Sequence, residues 1–354
     1  MERMNDIFDK KDLDAILVSN GFNMTYLSGF SGATGYLFIS KARKLIFTDS
    51  RYTTQARLES KEYEVVEMDA KQGYPELIQK YMVMDKVEKI GFEDQNFIYA
   101  DFMKMKEACQ ARAWVALGGE LSNLRIIKRP DELEKLAKAE SIGDEAFSYI
   151  LTILKPGMTE LEVAVELEGF MKTHGASNLS FETIVASGVN SSMPHARPSN
   201  KVIGEGDFVT MDYGCVYEGY CSDMTRTVVV GKASEKHKEI YNTVLKAQLA
   251  ALGGLRAGKT GKEIDAIARD LIADAGYGAY FGHGLGHSVG LEIHEEPRLS
   301  PGNPNPLQAN CIETVEPGIY IPGFGGVRIE DMVIVTEDGC MNLTHSTKEL
   351  IELL

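Results

Sequence analysis

Four acidic residues stand in apolar surroundings that suit a solvated carboxylate poorly. Asp212 follows Phe208-Val209-Thr210-Met211, and Asp223 precedes Met224 and Val228-Val229-Val230. Glu316 follows Thr314-Val315, and Glu330 precedes Asp331-Met332-Val333-Ile334-Val335. Residues 207–216 and 220–230 read as two strands of a hairpin turning near Glu218-Gly219. With the turn centred between Tyr217 and Glu218, Asp212 and Asp223 face each other on one side, where Cβ atoms lie about 5 Å apart and like charges repel. Either one carboxyl keeps its proton or a cation sits between the two. Alone, each acid reads as an edge-strand carboxylate facing water. All four, converging from equivalent places of a duplicated unit, favour two divalent ions.

The segment Gly282-His283-Gly284-Leu285-Gly286-His287-Ser288-Val289-Gly290-Leu291-Glu292-Ile293-His294 holds three of the seven histidines. His283 and His287 have the i, i+4 spacing of helical zinc motifs. The interleaved glycines argue against a helix, at about 1 kcal/mol each relative to alanine. An extended or looped backbone is expected, with His287, Val289, Leu291 and Ile293 on one strand face and His294 on the other. His195 lies in the proline-fixed loop Met193-Pro194-His195-Ala196-Arg197-Pro198, where a satisfied loop histidine and a working one are equally good readings. His174 and His237 read as helix-end residues, and His345 has no evident partner. Oxygen ligation with a single imidazole suits Mn, Co, Fe or Zn. Two such ions clamp a hydroxide and polarise a carbonyl, which is hydrolytic chemistry.

The elements that must position these residues form an internal repeat. Gly157, Thr159, Glu162, Val163, Phe170, Met171 and Gly175 recur at a fixed offset as Gly258, Thr260, Glu263, Ile264, Leu271, Ile272 and Gly276. Each copy reads as a turn, a Thr-x-x-Glu capping box and a helix ended by glycine. The repeat continues into the strands, where Thr210 to Gly214 matches Thr314 to Gly318, and Asp223-Met224 resembles Glu330-Asp331-Met332. A long amphipathic pattern runs from Asp131 to Leu154. Before Gly118-Gly119 a smaller α/β pattern is expected, with strands at 15–18, 36–39 and 44–47 and helices at 77–83 and 102–113.

The chain has 354 residues, which predicts two domains. Apolar residues make up 44% and charged residues 25%, the balance of a globular protein, and no apolar run is long enough to span a bilayer. The net charge of −15 argues against nucleic acid or an anionic membrane as partner. Five scattered cysteines without a CxxC read as reduced thiols, and with no apolar stretch at residues 1–11 a cytoplasmic location is expected.

These residues resemble the Xaa-Pro peptidases of the pita-bread metallopeptidase family, aminopeptidase P and prolidase. Thr25-Tyr26-Leu27-Ser28-Gly29-Phe30-Ser31-Gly32 and Phe47-Thr48-Asp49-Ser50-Arg51-Tyr52 are similar to its N-terminal creatinase-type domain. Asp212-x10-Asp223, His287, Thr-Val-Glu316-Pro-Gly-Ile-Tyr and Val-Arg328-Ile-Glu330-Asp stand where the family has its metal ligands. The resemblance implies an α/β (α+β) chain: a non-catalytic domain at 1–122, then a pita-bread catalytic domain with a pseudo-twofold duplication at 123–354. It implies two divalent ions, manganese first with cobalt, zinc or iron as alternatives, held by Asp212, Asp223, His287, Glu316 and Glu330. His195 and His294 would contact substrate and the tetrahedral intermediate. Glu316 would pass a proton toward the proline nitrogen, Arg328 would support the site, and His283 would lie at its rim. The implied substrates are peptides with proline at position two, and the implied assembly is a homodimer or homotetramer. Arg298 matches a prolidase arginine for a C-terminal carboxylate, so a dipeptidase is the nearest rival. Methionine aminopeptidase shares the ligand set but typically lacks the extra domain and Arg328. A non-enzymatic binding module of the same fold would be expected to have lost ligands, and none is missing here.

Overall fold

The computed structural model describes residues 2–354. The chain divides into two compact units, Met1–Arg125 and Ile126–Leu354. The division falls at Arg125 because Leu124 belongs to the apolar core of the first unit.

In the first unit β1 (Ala15–Val18), β2 (Tyr36–Ser40), β3 (Lys44–Thr48), β4 (Glu64–Glu67), β5 (Lys89–Phe92) and β6 (Ala113–Ala116) form one sheet, in the order β4-β3-β2-β1-β5-β6. Its helices are α1 (Glu2–Lys11), α2 (Gly21–Ser28), α3 (Thr53–Glu59), α4 (Tyr74–Met84) and α5 (Tyr99–Ala108). The central strands are apolar on both faces and fully buried at β1, because two clusters cover them. The helix expected over 102–113 is two elements. It stops at Ala108, and Ala113 opens β6, whose Trp114 packs edge-on against Phe92 and Phe102 with ring centroids 5.7 and 5.6 Å away. That packing outweighs helix propensity at an edge strand.

The second unit is built twice. Its first half has α6 (Pro130–Ile150), α7 (Glu160–Thr173), β7 (Asn178–Leu179), β8 (Ile184–Ser187), β9 (Phe208–Tyr213), β10 (Cys215–Tyr217), β11 (Tyr220–Cys221) and β12 (Met224–Val230). The second half has α8 (Glu235–Gly254), α9 (Gly261–Asp274), β13 (Gly286–Ser288), β14 (Glu295–Leu299), β15 (Ile312–Val315), β16 (Gly318–Ile321), β17 (Gly325–Arg328), β18 (Asp331–Val335), β19 (Cys340–Asn342) and β20 (Glu352–Leu353). Both capping boxes form. Thr159 Oγ1 accepts from Glu162 N at 3.1 Å and Thr260 Oγ1 from Glu263 N at 3.1 Å, and each glutamate accepts the threonine N–H in return at 2.8 Å. Each such cap is worth ~1 kcal/mol and starts its helix at the same place in both halves.

Each half lays its helix pair on its strands. Ile142, Phe147, Val163 and Leu167 meet Met211, Val209 and Val228 in the first, and Tyr241, Val244, Ile264 and Ala268 meet Val315, Val333 and Val335 in the second. The strand faces turned away from the helices carry the acids.

The hairpin register differs from the expected one. Tyr217 pairs with Tyr220, Met224 with Tyr213 and Thr225 with Asp212. The turn is therefore centred between Glu218 and Gly219, which both take positive φ (46° and 88°), as a two-residue type I′ turn demands. Asp212 lies across from Thr225, and Asp223 is its diagonal neighbour on the same face. The expectation that β13 continues through Ile293 also fails. The strand ends at Ser288, residues 289–294 bend, and β14 returns antiparallel.

Candidate metal centre

The strand ends bring the predicted donors together. Asp212 is the penultimate residue of β9, and Asp223 directly precedes β12. Glu316 directly follows β15, Glu330 directly precedes β18, and His287 is the middle residue of β13. Donor atoms of Asp223, His287 and Glu330 all lie within 4.8 Å of one another. His287 Nε2 is 3.4 Å from Asp223 Oδ2 and 3.5 Å from Glu316 Oε1. Its Nδ1 is 3.1 Å from the Ser288 carbonyl oxygen, which places the ring proton there and leaves the Nε2 lone pair facing the acids.

Two threonines hold the glutamates, one reaching across from the other half of the unit and one from two residues earlier on the same strand. Thr225 Oγ1 donates to Glu330 Oε2 at 2.6 Å, and Thr314 Oγ1 donates to Glu316 Oε1 at 3.3 Å while accepting from His287 N at 3.1 Å. Arg328 is 3% exposed and reaches four groups: Asp212 Oδ2 (2.5 Å), Thr225 Oγ1 (3.0 Å), Tyr320 Oη (2.8 Å) and the Pro194 carbonyl (3.3 Å). Tyr320 Oη is in turn 2.9 Å from His283 Nε2. Asp212 Oδ1 is buried with no hydrogen-bond partner, although buried acceptors are nearly always paired. An acceptor in that state, among three further carboxylates and a neutral imidazole, fits divalent cations.

Burial, with the Glu330, Asp212 and Glu316 charges, pushes the Asp223 carboxyl far above its usual range. Burial does the same to Glu330, helped by Glu316 and Asp212, and lifts Glu316 to about 8. Burial and then the nearby His294 depress His287 to about 3, while burial and Arg328 depress His283 to about 4. These directions set how the metal-free protein should respond to pH. The raised carboxyls bind protons in the folded state that the unfolded chain has released, so they stabilise at low pH and lose that effect as pH rises through about 8. The depressed histidines act oppositely, but only below the ordinary histidine pKa of about 6.5. Between about pH 6.5 and 8 the carboxyl effect stands alone, so the melting temperature of chelator-stripped protein should fall over that window. A divalent ion should flatten the slope, and a stripped protein whose melting temperature climbs there would contradict the assignment.

A cavity of about 580 Å³ opens onto this cluster. His195, His283, His294, Arg298 and Arg328 line it together with all five donors. His195 and His294 are exposed toward it. The His294 ring stands edge-on to His287 with centroids 4.5 Å apart, so the two imidazoles share one side of the loop. This reverses the expectation of opposite faces: the backbone bends, with Gly290 N donating to Glu292 O at 3.1 Å and Gly290 O accepting from Cys221 N at 2.8 Å. Arg298 pairs across the ladder with His287. Sequence reasoning did not single out Thr225, Thr314 and Tyr320. The threonines were findable, since they lie two residues from an acid and a strand has period two. Tyr320 follows a Pro-Gly break and carried no such signal.

A duplicated αβ unit whose halves converge four carboxylates and an imidazole on one open cavity is a pita-bread metallohydrolase. Residues 134–337 match metallopeptidase family M24, and residues 1–127 match the creatinase/prolidase N-terminal domain. The chain belongs to metallopeptidase family M24 and is a hydrolase with a divalent-metal site. It is 46% identical to the Xaa-Pro dipeptidase structure from Bacillus anthracis, with a TM-score of 0.96 over 99% of this chain and 98% of that one. The X-Pro aminopeptidase structure from Thermotoga maritima is 39% identical, with a TM-score of 0.90 over 96% and 98% of the two chains. The Xaa-Pro dipeptidase of Pyrococcus horikoshii is 37% identical over 99% of this chain and 98% of its own length. No helix among the described residues is long and apolar enough to cross a membrane.

Proposed function

We propose that this protein is an Xaa-Pro aminopeptidase, cleaving the bond between an N-terminal residue and a following proline. Asp212, Asp223, His287, Glu316 and Glu330 hold two divalent ions in this reading, manganese first. The carrying observation is the cavity in which these donors meet the exposed His195 and His294. When bound, the ions supply a water acidified toward neutrality and a Lewis acid for the carbonyl.

The chain's own groups do the rest. Glu316 takes a proton from the attacking water and returns it to the proline nitrogen as that bond breaks. His195 and His294 donate to the oxygen that gains charge. Arg328 holds Asp212, and His283 braces Arg328 through Tyr320. The substrate's free amine pairs with carboxylates of the site, which limits attack to the first bond. A homodimer or homotetramer in the cytoplasm belongs to the same reading.

A second reading, the Xaa-Pro dipeptidase, is favoured by Arg298, which lines the cavity and can hold a substrate C-terminus. One assay separates the two. Chelator-stripped protein should be inactive and regain turnover with Mn or Co at about two ions per chain, and is then offered Xaa-Pro and Xaa-Pro-Xaa peptides. Cleavage of both supports the aminopeptidase, and cleavage of dipeptides alone supports the dipeptidase. Full activity after exhaustive chelation, with no metal by elemental analysis, would defeat both.

A further inference from the structure

Behind the two imidazoles lies an ion pair that the reaction does not use. Lys128 and Glu295 are joined at 3.0 Å, with side chains only 1% and 3% exposed. The Lys128 ammonium also donates to Ser288 Oγ at 3.2 Å. Ser288 follows His287 and Glu295 follows His294, so one cation grips the residue after each histidine. The backbone N–H of Lys128 donates to the Asn310 carbonyl at 2.9 Å, which anchors the grip to the segment leading into β15. On the loop side Glu295 Oε1 accepts from Glu292 N at 3.3 Å. Glu295 also lies against Gly290, where any Cβ would come within 2.5 Å of its Oε2.

We infer that the Lys128–Glu295 pair is a positioning device that sets the spacing of His287 and His294. The inference rests on reading His287 as a metal donor. Stability is a poor account of the pair: two charges withdrawn from water carry a large desolvation cost, and an uncharged replacement of similar shape is often neutral or better. Position is the better account. The ammonium fixes both ends of the six-residue loop 289–294, and the loop's bend is what turns the two rings to the same side.

The double variant Lys128→Met/Glu295→Gln removes both charges of the pair together. Manganese(II) binding to chelator-stripped protein is measured by titration calorimetry, beside thermal melting and turnover. The expected result is a melting temperature close to wild type with manganese affinity lowered ~10–100-fold, the usual size of a loss behind a metal ligand. Turnover measured at saturating metal should also fall, because His294 is displaced as well. Wild-type affinity and turnover in a folded double variant would overturn the inference. Should that variant not fold, Ser288→Ala keeps the ion pair and removes only the contact behind His287. It should weaken manganese about tenfold, and unchanged affinity would overturn the inference equally. Failure of the wild-type protein to bind manganese would instead remove the metal reading, and this inference with it.

Discussion

Asp223→Asn should leave a folded protein whose kcat/KM has fallen by more than ~100-fold, the loss already typical of groups one shell behind a ligand. The side chain keeps its volume, so packing is unchanged, but it loses the charge that Nε2 of His287 faces at 3.4 Å. The effect on stability should have the unusual sign. In metal-free protein Asp223 is a buried acid among Glu330, Asp212 and Glu316, and its carboxyl is pushed far upward by burial and by those charges. A carboxyl so raised must take up a proton to stay buried, a cost at neutral pH that asparagine does not carry, so the stripped variant should melt at or above the stripped wild type at pH 7.5. Added manganese should raise the wild-type melting temperature far more than that of the variant, because ligand binding stabilises only what it binds. A variant that keeps its activity, or melts well below the stripped wild type, would count against Asp223 as a ligand.

The histidines should separate into two groups. His287→Ala should lose metal and activity together, since its Nε2 faces Asp223 and Glu316. His294→Ala and His195→Ala should keep both ions and lose turnover by ~10²–10³, the typical effect of removing one donor to a developing oxyanion. Both line the cavity and are exposed to it. Their edge-on contact makes the test more demanding than the expected strand would have, because His294 and His287 are neighbours in space. Elemental analysis of the three variants beside their kinetics decides the matter. Metal lost from His294→Ala but retained by His287→Ala would exchange the two roles.

Much of this was legible without coordinates because the second unit is a duplication. Equivalent positions in a repeat share a local structure, so Thr159 and Thr260 both cap helices, and each half delivers two acids to the end of a strand pair. The small unit's first three strands were legible from their apolar runs, whereas β4, β5 and β6 were not read as strands. Its last helix was overextended, since nothing in residues 109–113 opposes a helix strongly and the aromatic contacts that favour β6 come from Phe92 and Phe102.

By itself the sequence determined which atoms could hold a metal: four acids in apolar strands and one histidine in a glycine-rich segment, types and places that chain-local rules reach. Tertiary structure decided how they meet. The hairpin register moved by one residue on each strand because a type I′ turn centres on Glu218-Gly219, which made Asp212 and Asp223 diagonal instead of opposed. The loop after His287 folded back because Lys128, 160 residues away, holds Ser288 and Glu295. Strand period fixes which face a side chain takes only while the strand continues. Where it stops, the direction of the next side chain is set by distant partners, and no local pattern records them.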